Sequence, residues 1–306
     1  MGTLLITGGS GYLGRHLARR ATAEWQVVAT YFSHPDPPAG CRAVPLDVRN
    51  GPAVLRLVAE LRPTAVIHTA YDMGSPEAMR SVIVEGTRHV ATAAATVGAR
   101  LVAMSSDVIF DGENGPYCEP DPPSPVTPYG RAKAEAERIV ARLCPEAAIA
   151  RTSLIYGFDP PDPRTLWVAD SLRNGQPITL FTDELRCPVW VEQLAAALLE
   201  LAGGEGGDYS GIWHLAGAQA LSRYEFGVRL AHAYGLGSAG ITPGLSRDSG
   251  TVRPRDCRLE ISRAQARLRS QLWGVDEVLG RRLTAARPPE ACGAGGIRNM
   301  QINEDS

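Results

Sequence analysis

The sequence predicts an α/β protein with a doubly wound parallel sheet of the Rossmann type and a smaller C-terminal substrate cap. Over the first half of the chain, short apolar runs alternate with segments that carry Ala, Leu and Val at helical spacing. A glycine-rich turn follows the first apolar run, where a helix is predicted to begin. Doubly wound sheets bind ligands at the carboxyl ends of their strands, so the functional residues are expected there.

Six apolar runs in the first half have the length and composition of buried strands. In chain order they span residues 3–7, 26–31, 43–46, 65–68, 100–105 and 148–151. Beyond residue 157 the pattern predicts three further elements: a strand entering an amphipathic helix over 183–201, a late strand of the main sheet over 211–215, and a helix over 222–236.

The change of pattern after residue 157 predicts two domains. We assign residues 1–155 and 186–216 to a dinucleotide-binding domain, and residues 157–185 and 217–286 to a substrate-binding cap. Residues 287–306 are rich in Gly, Pro and Ala and then polar, so we expect a disordered tail.

The composition favours a small-molecule partner over nucleic acid or a membrane. The 31 basic and 33 acidic residues leave a net charge of −2, which provides no field to attract polyanions. No apolar run approaches the ~18 residues of a membrane span. The six cysteines show neither Cys-x-x-Cys pairs nor metal-ligand spacing with histidine, so we expect reduced thiols, a cytoplasmic protein and no metal site.

The turn after the first strand has the spacing of a dinucleotide-binding loop. Gly8, Gly11 and Gly14 are three residues apart, with Tyr12 and Leu13 at the predicted start of the helix. Glycines let the backbone approach a pyrophosphate, whose charge is stabilised by the helix N-terminus. The pattern predicts a bound nicotinamide dinucleotide.

The end of the second strand favours NADP(H) over NAD(H). An acidic residue there would bind the ribose 2′-hydroxyl of NAD, but the chain has Ser33 and His34 at this point. These two residues, or Arg15, are the expected donors to a 2′-phosphate. Asp47, after the third strand, has two interpretations that the sequence leaves open: the N-cap of the next helix, or a contact to adenine.

Lys133 is the single lysine of the chain beside 30 arginines, and Tyr129 precedes it by four residues. At this spacing on a helix the two side chains share one face. Thr127 and Pro128 supply a plausible N-cap and first residue for that helix, which is predicted to run to about residue 143. The ammonium is expected to favour ionisation of the phenol and to contact the nicotinamide ribose. Ser106, at the end of the fifth strand, would hold the substrate oxygen to which Tyr129 transfers a proton.

These motifs together resemble the extended short-chain dehydrogenase/reductases, and within them the dTDP-4-dehydrorhamnose reductase branch. The most specific segment is Ser-Ser-Asp-Val-Ile-Phe-Asp-Gly at 105–112, which is similar to Ser-Thr-Asp-Tyr-Val-Phe-Asp-Gly in that branch. Residues 125–133, 151–157, 186–194, 211–217 and 253–259 are also similar. The resemblance covers nearly everything from residue 2 to residue 273.

The resemblance implies roles for individual residues. It gives the catalytic positions to Ser106, Tyr129 and Lys133. It implies that the cofactor cleft is lined by Asp47, Val48, Thr69, Ala70 and Tyr71. Substrate contacts are expected from Ser106, Tyr129, Val108 and Arg186, and the cap would select a nucleotide-linked 4-keto-6-deoxysugar. A homodimer is compatible with the sequence.

Ile83 departs from the resemblance, because the superfamily usually has Asn there to support a proton-relay water. The branch also contains the regulatory beta subunit of methionine adenosyltransferase, which binds NADP as a partner protein. Three hypotheses follow: an NADP(H)-dependent reductase of a nucleotide-sugar ketone or related carbonyl, a cofactor-binding regulatory subunit, and a nucleotide-sugar epimerase or dehydratase.

Overall fold

The computed structural model describes residues 1–204 and 208–285. The predicted disordered tail, 287–306, lies outside the described residues. No helix within the described part of the chain is long and apolar enough to span a bilayer.

The central sheet has seven parallel strands in the order β3-β2-β1-β4-β5-β6-β11. The chain order of the strands is β1 Thr3–Thr7, β2 Gln26–Tyr31, β3 Arg42–Pro45, β4 Ala65–His68, β5 Arg100–Ser106, β6 Ala148–Thr152, β7 Ile155–Tyr156, β8 Ile178–Phe181, β9 Leu185–Arg186, β10 Val189–Trp190, β11 Gly211–Leu215, β12 Leu221–Ser222 and β13 Ile241–Gly244. The strand order reverses between β1 and β4, which is where a doubly wound sheet opens its ligand cleft.

Helices cover both faces of this sheet. α1 and α7 pack together on one face, and α2, α4 and α5 pack on the other. In chain order, the helices of the described residues are α1 Tyr12–Ala21, α2 Gly51–Leu61, α3 Pro76–Met79, α4 Gly86–Val97, α5 Pro128–Leu143, α6 Pro163–Arg173, α7 Val191–Gly203, α8 Arg223–Ala233, α9 Ser262–Arg267 and α10 Val275–Ala285. A π-helical segment, Arg80–Glu85, joins α3 to α4. Two hydrophobic clusters, one on each face of the sheet, form the core.

The predicted fold class is confirmed, and the predicted strands of the central sheet are present with ends that differ by at most one residue. The late strand joins the sheet beside β6, as expected. One interpretation of Asp47 is wrong: α2 is capped by Asn50, whose side-chain oxygen accepts a hydrogen bond from Ala53 N at 3.1 Å. Asp47 instead binds Arg49 through both carboxylate oxygens.

Three two-stranded sheets lie outside the central sheet: β7 with β10, β9 with β12, and β8 with β13. The helix predicted over 222–236 is observed as α8, which begins after a capping box. Ser222 Oγ accepts from Glu225 N, and the Glu225 carboxylate accepts from Ser222 N. β12 ends at Ser222, the cap of α8. It pairs with β9 in antiparallel register, with Leu221 opposite Arg186 and Ser222 opposite Leu185.

A buried ion pair joins α5 to the central sheet. Arg151 on β6 is 1% exposed and donates to both oxygens of Glu137 on α5, at 3.0 and 2.9 Å. The same guanidinium donates to the carbonyl oxygen of Glu119 at 3.2 Å. Every charge in this pair is compensated, which a buried guanidinium requires.

Replacing Glu137 tests how strongly this pair stabilises the fold. Glu137→Ala is expected to lower the free energy of unfolding by about 3–5 kcal/mol, because Arg151 is left buried without its anion. Glu135→Ala is the matched control on the same helix: its pair with Arg138 is exposed, and a loss below about 1 kcal/mol is expected. Urea unfolding of the three proteins gives both values, and equal losses would contradict the assignment.

Candidate active site

The helix that carries Tyr129 and Lys133 begins as the sequence predicts. Thr127 caps α5 by accepting a hydrogen bond from Gly130 N at 3.0 Å, and Pro128 is its first residue. A Cβ at Gly130 would collide with the carbonyl oxygen of Val108. The absence of a side chain at Gly130 thus lets the start of α5 touch the turn that follows β5.

Ser106, Tyr129 and Lys133 come together at the carboxyl end of β5. The ammonium of Lys133 donates to the carbonyl oxygen of Met104 at 3.0 Å and lies 5.9 Å from the centre of the Tyr129 ring. A hydrogen bond from Ser106 lowers the pKa of Tyr129. The structure therefore places the three predicted catalytic residues in one set.

Burial shifts the two titratable groups of this set in opposite ways. Burial raises the pKa of Tyr129, and the nearby Tyr71 and Asp107 raise it further. Arg164 and the hydrogen bond from Ser106 lower this pKa by a smaller amount. The expectation that Lys133, together with an oxidised nicotinamide and the helix N-terminus, favours the phenolate stays a prediction. Burial also lowers the pKa of Lys133 to about 8. At neutral pH the phenol is protonated, which is the form that donates to a carbonyl oxygen.

Asp107 is a buried residue of this site that the sequence did not single out. Its carboxylate accepts from Ser106 Oγ at 3.2 Å and from Ser153 Oγ at 2.7 Å. The guanidinium of Arg186 lies 3.6 Å from the same carboxylate. Its position directly after Ser106 was the available signal, but only the fold brings Ser153 and Arg186 to it.

Two further residues, Arg186 and Val108, are expected to contact the substrate. Their burial and their contacts differ from each other. Arg186 is 4% exposed and donates to the carbonyl oxygens of Leu185, Pro254 and Arg255, each at 2.8 Å. These hydrogen bonds and the ion pair with Asp107 occupy the guanidinium of Arg186. Arg186 therefore supports the position of Asp107 beside Ser106. Val108 is half-buried beside Ser106, to whose hydroxyl its N–H donates at 3.5 Å.

The glycine turn fits a dinucleotide. Gly8 has a φ of +73°, and a Cβ there would lie 2.8 Å from the backbone of Ala70. Gly11 is the N-cap of α1, and no side chain caps this helix. The N–H groups of Tyr12, Leu13 and Gly14, in the first turn, are therefore directed at the position of a pyrophosphate.

The segment after β4 closes the other side of this cleft. Thr69 Oγ1 donates to the carbonyl oxygen of Thr7 at 2.8 Å, which fixes Ala70 against the glycine turn. Tyr71 is 59% exposed and raises the pKa of Tyr129, so it lies near that phenol.

Asp47 and Val48, expected to line the cofactor cleft, follow β3. The Asp47 carboxylate is partly exposed and holds Arg49, whose guanidinium lies 5.0 Å from the centre of the Phe32 ring. Val48 is buried, and its carbonyl oxygen accepts from His89 Nδ1 at 2.9 Å. Asp47 thus offers its carboxylate at the surface, whereas Val48 shapes the wall of the cleft.

The residues expected at a 2′-phosphate lie at the end of β2. Ser33 and His34 are exposed and bonded to each other at 2.8 Å. Arg15 reaches the same region from α1, where its guanidinium pairs with Asp36 at 2.8 Å. Both partners of this pair are substantially exposed, so water screens their attraction.

Ile83 lies in the π-helical segment and is completely buried. It belongs to an apolar cluster with Val84, Ala132, Ala136 and Ile139, against which Tyr129 packs. His68, 2.6 Å from Thr7 Oγ1 and 3.0 Å from Thr87 Oγ1, has its pKa lowered to about 3 by burial and by Lys133. His68 is therefore a neutral structural group.

Comparison with known proteins assigns this architecture to a family. Residues 2–285 match the family model described as RmlD substrate binding domain. The dTDP-4-dehydrorhamnose reductase of Streptomyces griseus is 32% identical over 281 residues, which cover 86% of each chain. The methionine adenosyltransferase 2 subunit beta of Xenopus laevis is 29% identical over 274 residues, covering 85% of this chain and 81% of the relative.

Solved structures give the same fold. The dTDP-4-dehydrorhamnose reductase of Bacillus anthracis, in complex with NADP, has a TM-score of 0.80 at 23% identity. The similarity covers 93% of this chain and 99% of that one.

Lys133→Met is expected to raise the free energy of unfolding at pH 7 by about 1–3 kcal/mol, because it removes a buried charge. The folded pKa of about 8 lies below the usual 10.5, so the unfolded state holds the proton more tightly between these values. Below pH 8 the buried charge lowers the free energy of unfolding by its full amount, and this destabilisation disappears as the pH approaches 10.5. Paired unfolding curves at pH 7 and pH 10 measure this, and a constant difference would contradict it.

Proposed function

Because the chain belongs to the RmlD substrate binding domain family, we propose that it is an NADP(H)-dependent reductase of a nucleotide-sugar ketone, such as a dTDP-4-dehydro sugar. The observation that carries this proposal is the convergence of Ser106, Tyr129 and Lys133 beside the uncapped turn of α1. A carbonyl-reducing oxidoreductase needs a cofactor site and a positioned acid, and these residues supply both.

The chain's own residues bind and protonate the substrate. Tyr129, protonated at neutral pH, donates its phenolic proton to the substrate oxygen. Ser106 orients that oxygen by a hydrogen bond, and Lys133 holds the ribose of the cofactor from its anchor on Met104. The cofactor, when bound, supplies the hydride.

The preference for NADP(H) is proposed from the end of β2. Ser33 and His34 provide hydrogen-bond donors there, and Arg15 provides a cation within reach of the same region. The carboxylate at this point belongs to Asp36 and is already paired with Arg15. A 2′-phosphate would replace this exposed pair with a charge-assisted contact to Arg15.

A regulatory subunit is the second candidate, because the methionine adenosyltransferase subunit beta is nearly as similar as the reductase. Ile83, in its apolar surroundings, is compatible with slow proton resupply. An epimerase or dehydratase is the third, since the same three catalytic residues serve a hydride that returns to its substrate. The three candidate functions differ in whether NADPH is oxidised when a substrate is converted.

Turnover of NADPH with 4-keto nucleotide sugars tests the proposal. Wild-type protein is expected to oxidise NADPH steadily, and Tyr129→Phe is expected to lower kcat about 10²–10⁴-fold with unchanged NADPH binding. Tyr156→Phe is the matched control, because this buried phenol has no hydrogen-bond partner among the described residues.

The other two candidates give different results in the same assay. NADPH binding without oxidation across a broad ketone panel would favour the regulatory subunit. Product formation without net change in NADPH absorbance would favour the epimerase or dehydratase.

Arg15→Gln is expected to weaken NADPH binding about 10–100-fold and to leave NADH binding nearly unchanged, because only NADPH carries the 2′-phosphate. Arg20→Gln, on the same helix, is the control for a lost surface charge. Fluorescence titrations with both cofactors measure the preference. Equal loss for NADPH and NADH would contradict the role given to Arg15.

A further inference from the structure

Tyr12 takes part in two separate regions of the molecule. Its backbone N–H lies in the uncapped first turn of α1, which is directed at the position of a pyrophosphate. Its phenol points away from this turn and donates to the carbonyl oxygen of Pro160 at 3.2 Å. Burial and the charges of Asp162 and Glu192 raise the pKa of Tyr12, so the phenol keeps the proton that it donates. Pro160 belongs to loop 157–162, which connects β7 to α6.

The ring of Tyr12 is held against α1. His16, one turn further along the helix, packs on it edge to face, with ring centres 4.9 Å apart. His16 is 2% exposed, and its Nδ1 lies 2.6 Å from Glu192 Oε1 on α7. Because α1 and α7 pack together on the central sheet, the phenol oxygen has a defined position relative to the glycine turn.

The buried carboxylate of Asp162 organises loop 157–162. It caps α6 by accepting hydrogen bonds from Arg164 N at 3.0 Å and from Thr165 N at 3.1 Å. It also accepts from Gly157 N at 3.3 Å, which joins the first residue of the loop to the last. The loop and the start of α6 therefore form one unit.

The hydrogen bond from Tyr12 is the polar link between this unit and α1. Across residues 1–204 and 208–285, no other hydrogen bond or ion pair joins loop 157–162 to the central sheet, to α1 or to α7. Asp159 and Pro160 are exposed. Gly157 leaves room for the phenol, because a Cβ there would collide with Tyr12 Oη. A single donor therefore fixes how the loop lies on α1.

The other end of the unit lies near the proton donor of the catalytic set. Arg164 is the second residue of α6, and its positive charge lowers the pKa of Tyr129. A shift of loop 157–162 would therefore change the position of Arg164 relative to the phenol of Tyr129.

We propose that Tyr12 is a positioning residue that couples the filling of the cofactor site to the position of loop 157–162 and α6. This assignment rests on the cofactor site of the function proposed above. A pyrophosphate bound at the Tyr12 N–H restricts the backbone of the first turn of α1, and with it the direction of the phenol. The hydrogen bond to Pro160 then persists for a larger fraction of the time. Bound cofactor thereby holds the start of α6 beside Tyr129 before the ketone is reduced.

Hydrogen exchange with and without saturating NADP⁺ tests this coupling, measured by mass spectrometry on peptides from residues 157–165. The reporters are the N–H groups of Gly157, Arg164 and Thr165, because each donates to Asp162 only while the loop is closed. In wild-type protein NADP⁺ is expected to slow their exchange about 3–10-fold, the effect of one net hydrogen bond. Tyr12→Phe removes only the hydroxyl, and its exchange is expected to be the same with and without NADP⁺.

Tyr156→Phe is the matched control. Tyr156 immediately precedes the loop, and its buried hydroxyl has no hydrogen-bond partner among the described residues. This variant is expected to keep the full response of wild-type protein to NADP⁺. Titrations with NADP⁺ establish saturation of each protein. Because coupling is reciprocal, Tyr12→Phe is expected to bind NADP⁺ at most about 3–10-fold more weakly.

The outcomes separate coupling from a purely structural contact. If NADP⁺ protects wild-type protein and Tyr12→Phe by the same factor, the contact is structural only and the coupling is wrong. Absence of protection in wild-type protein saturated with NADP⁺ would also overturn it. If the protection depends on Tyr12 while no ketone is reduced, the coupling stands and the reductase proposal fails.

Discussion

The hydrogen bond from Lys133 to the carbonyl oxygen of Met104 is the contact on which the site geometry depends. It joins α5 to β5 across a buried interface, and Lys133 is 5% exposed. Tyr129 lies one helical turn before Lys133, and Ser106 lies two residues beyond Met104. One contact therefore fixes both partners of the substrate oxygen. Burying a cation without hydrogen bonds costs much free energy. The burial of Lys133 therefore favours the position in which its ammonium keeps this hydrogen bond.

A second set of polar contacts connects these residues to the short strands outside the central sheet. Asp107 accepts hydrogen bonds from Ser106 at the end of β5 and from Ser153 just after β6, and it pairs with Arg186 on β9. Arg186 in turn holds the carbonyl oxygens of Pro254 and Arg255. The segment that carries Arg253 is thus fixed relative to Ser106 by buried polar contacts. These contacts form one connected polar network from Ser106 to the carbonyl oxygens of Pro254 and Arg255.

The sequence was sufficient for the central sheet because its strands are continuous apolar runs, and for the catalytic set because Tyr129 and Lys133 are local neighbours on one helix. It did not reveal Asp107, because its partners Ser153 and Arg186 are distant from it in sequence. The wrong cap for α2 has a local reason, since Asp47 and Asn50 are both good caps and the helix begins one turn later.

Burial has the largest effect on the pKa of Tyr129. It raises this pKa by more than the nearby Arg164 and the hydrogen bond from Ser106 lower it. Burial also lowers the pKa of Lys133 to about 8, so its ammonium loses a proton more readily. A protonated phenol beside a readily deprotonated ammonium is suited to donating a proton and then recovering one. Ile83 and its cluster, which lie on the π-helical segment and α5, make the side of Tyr129 that packs against them apolar.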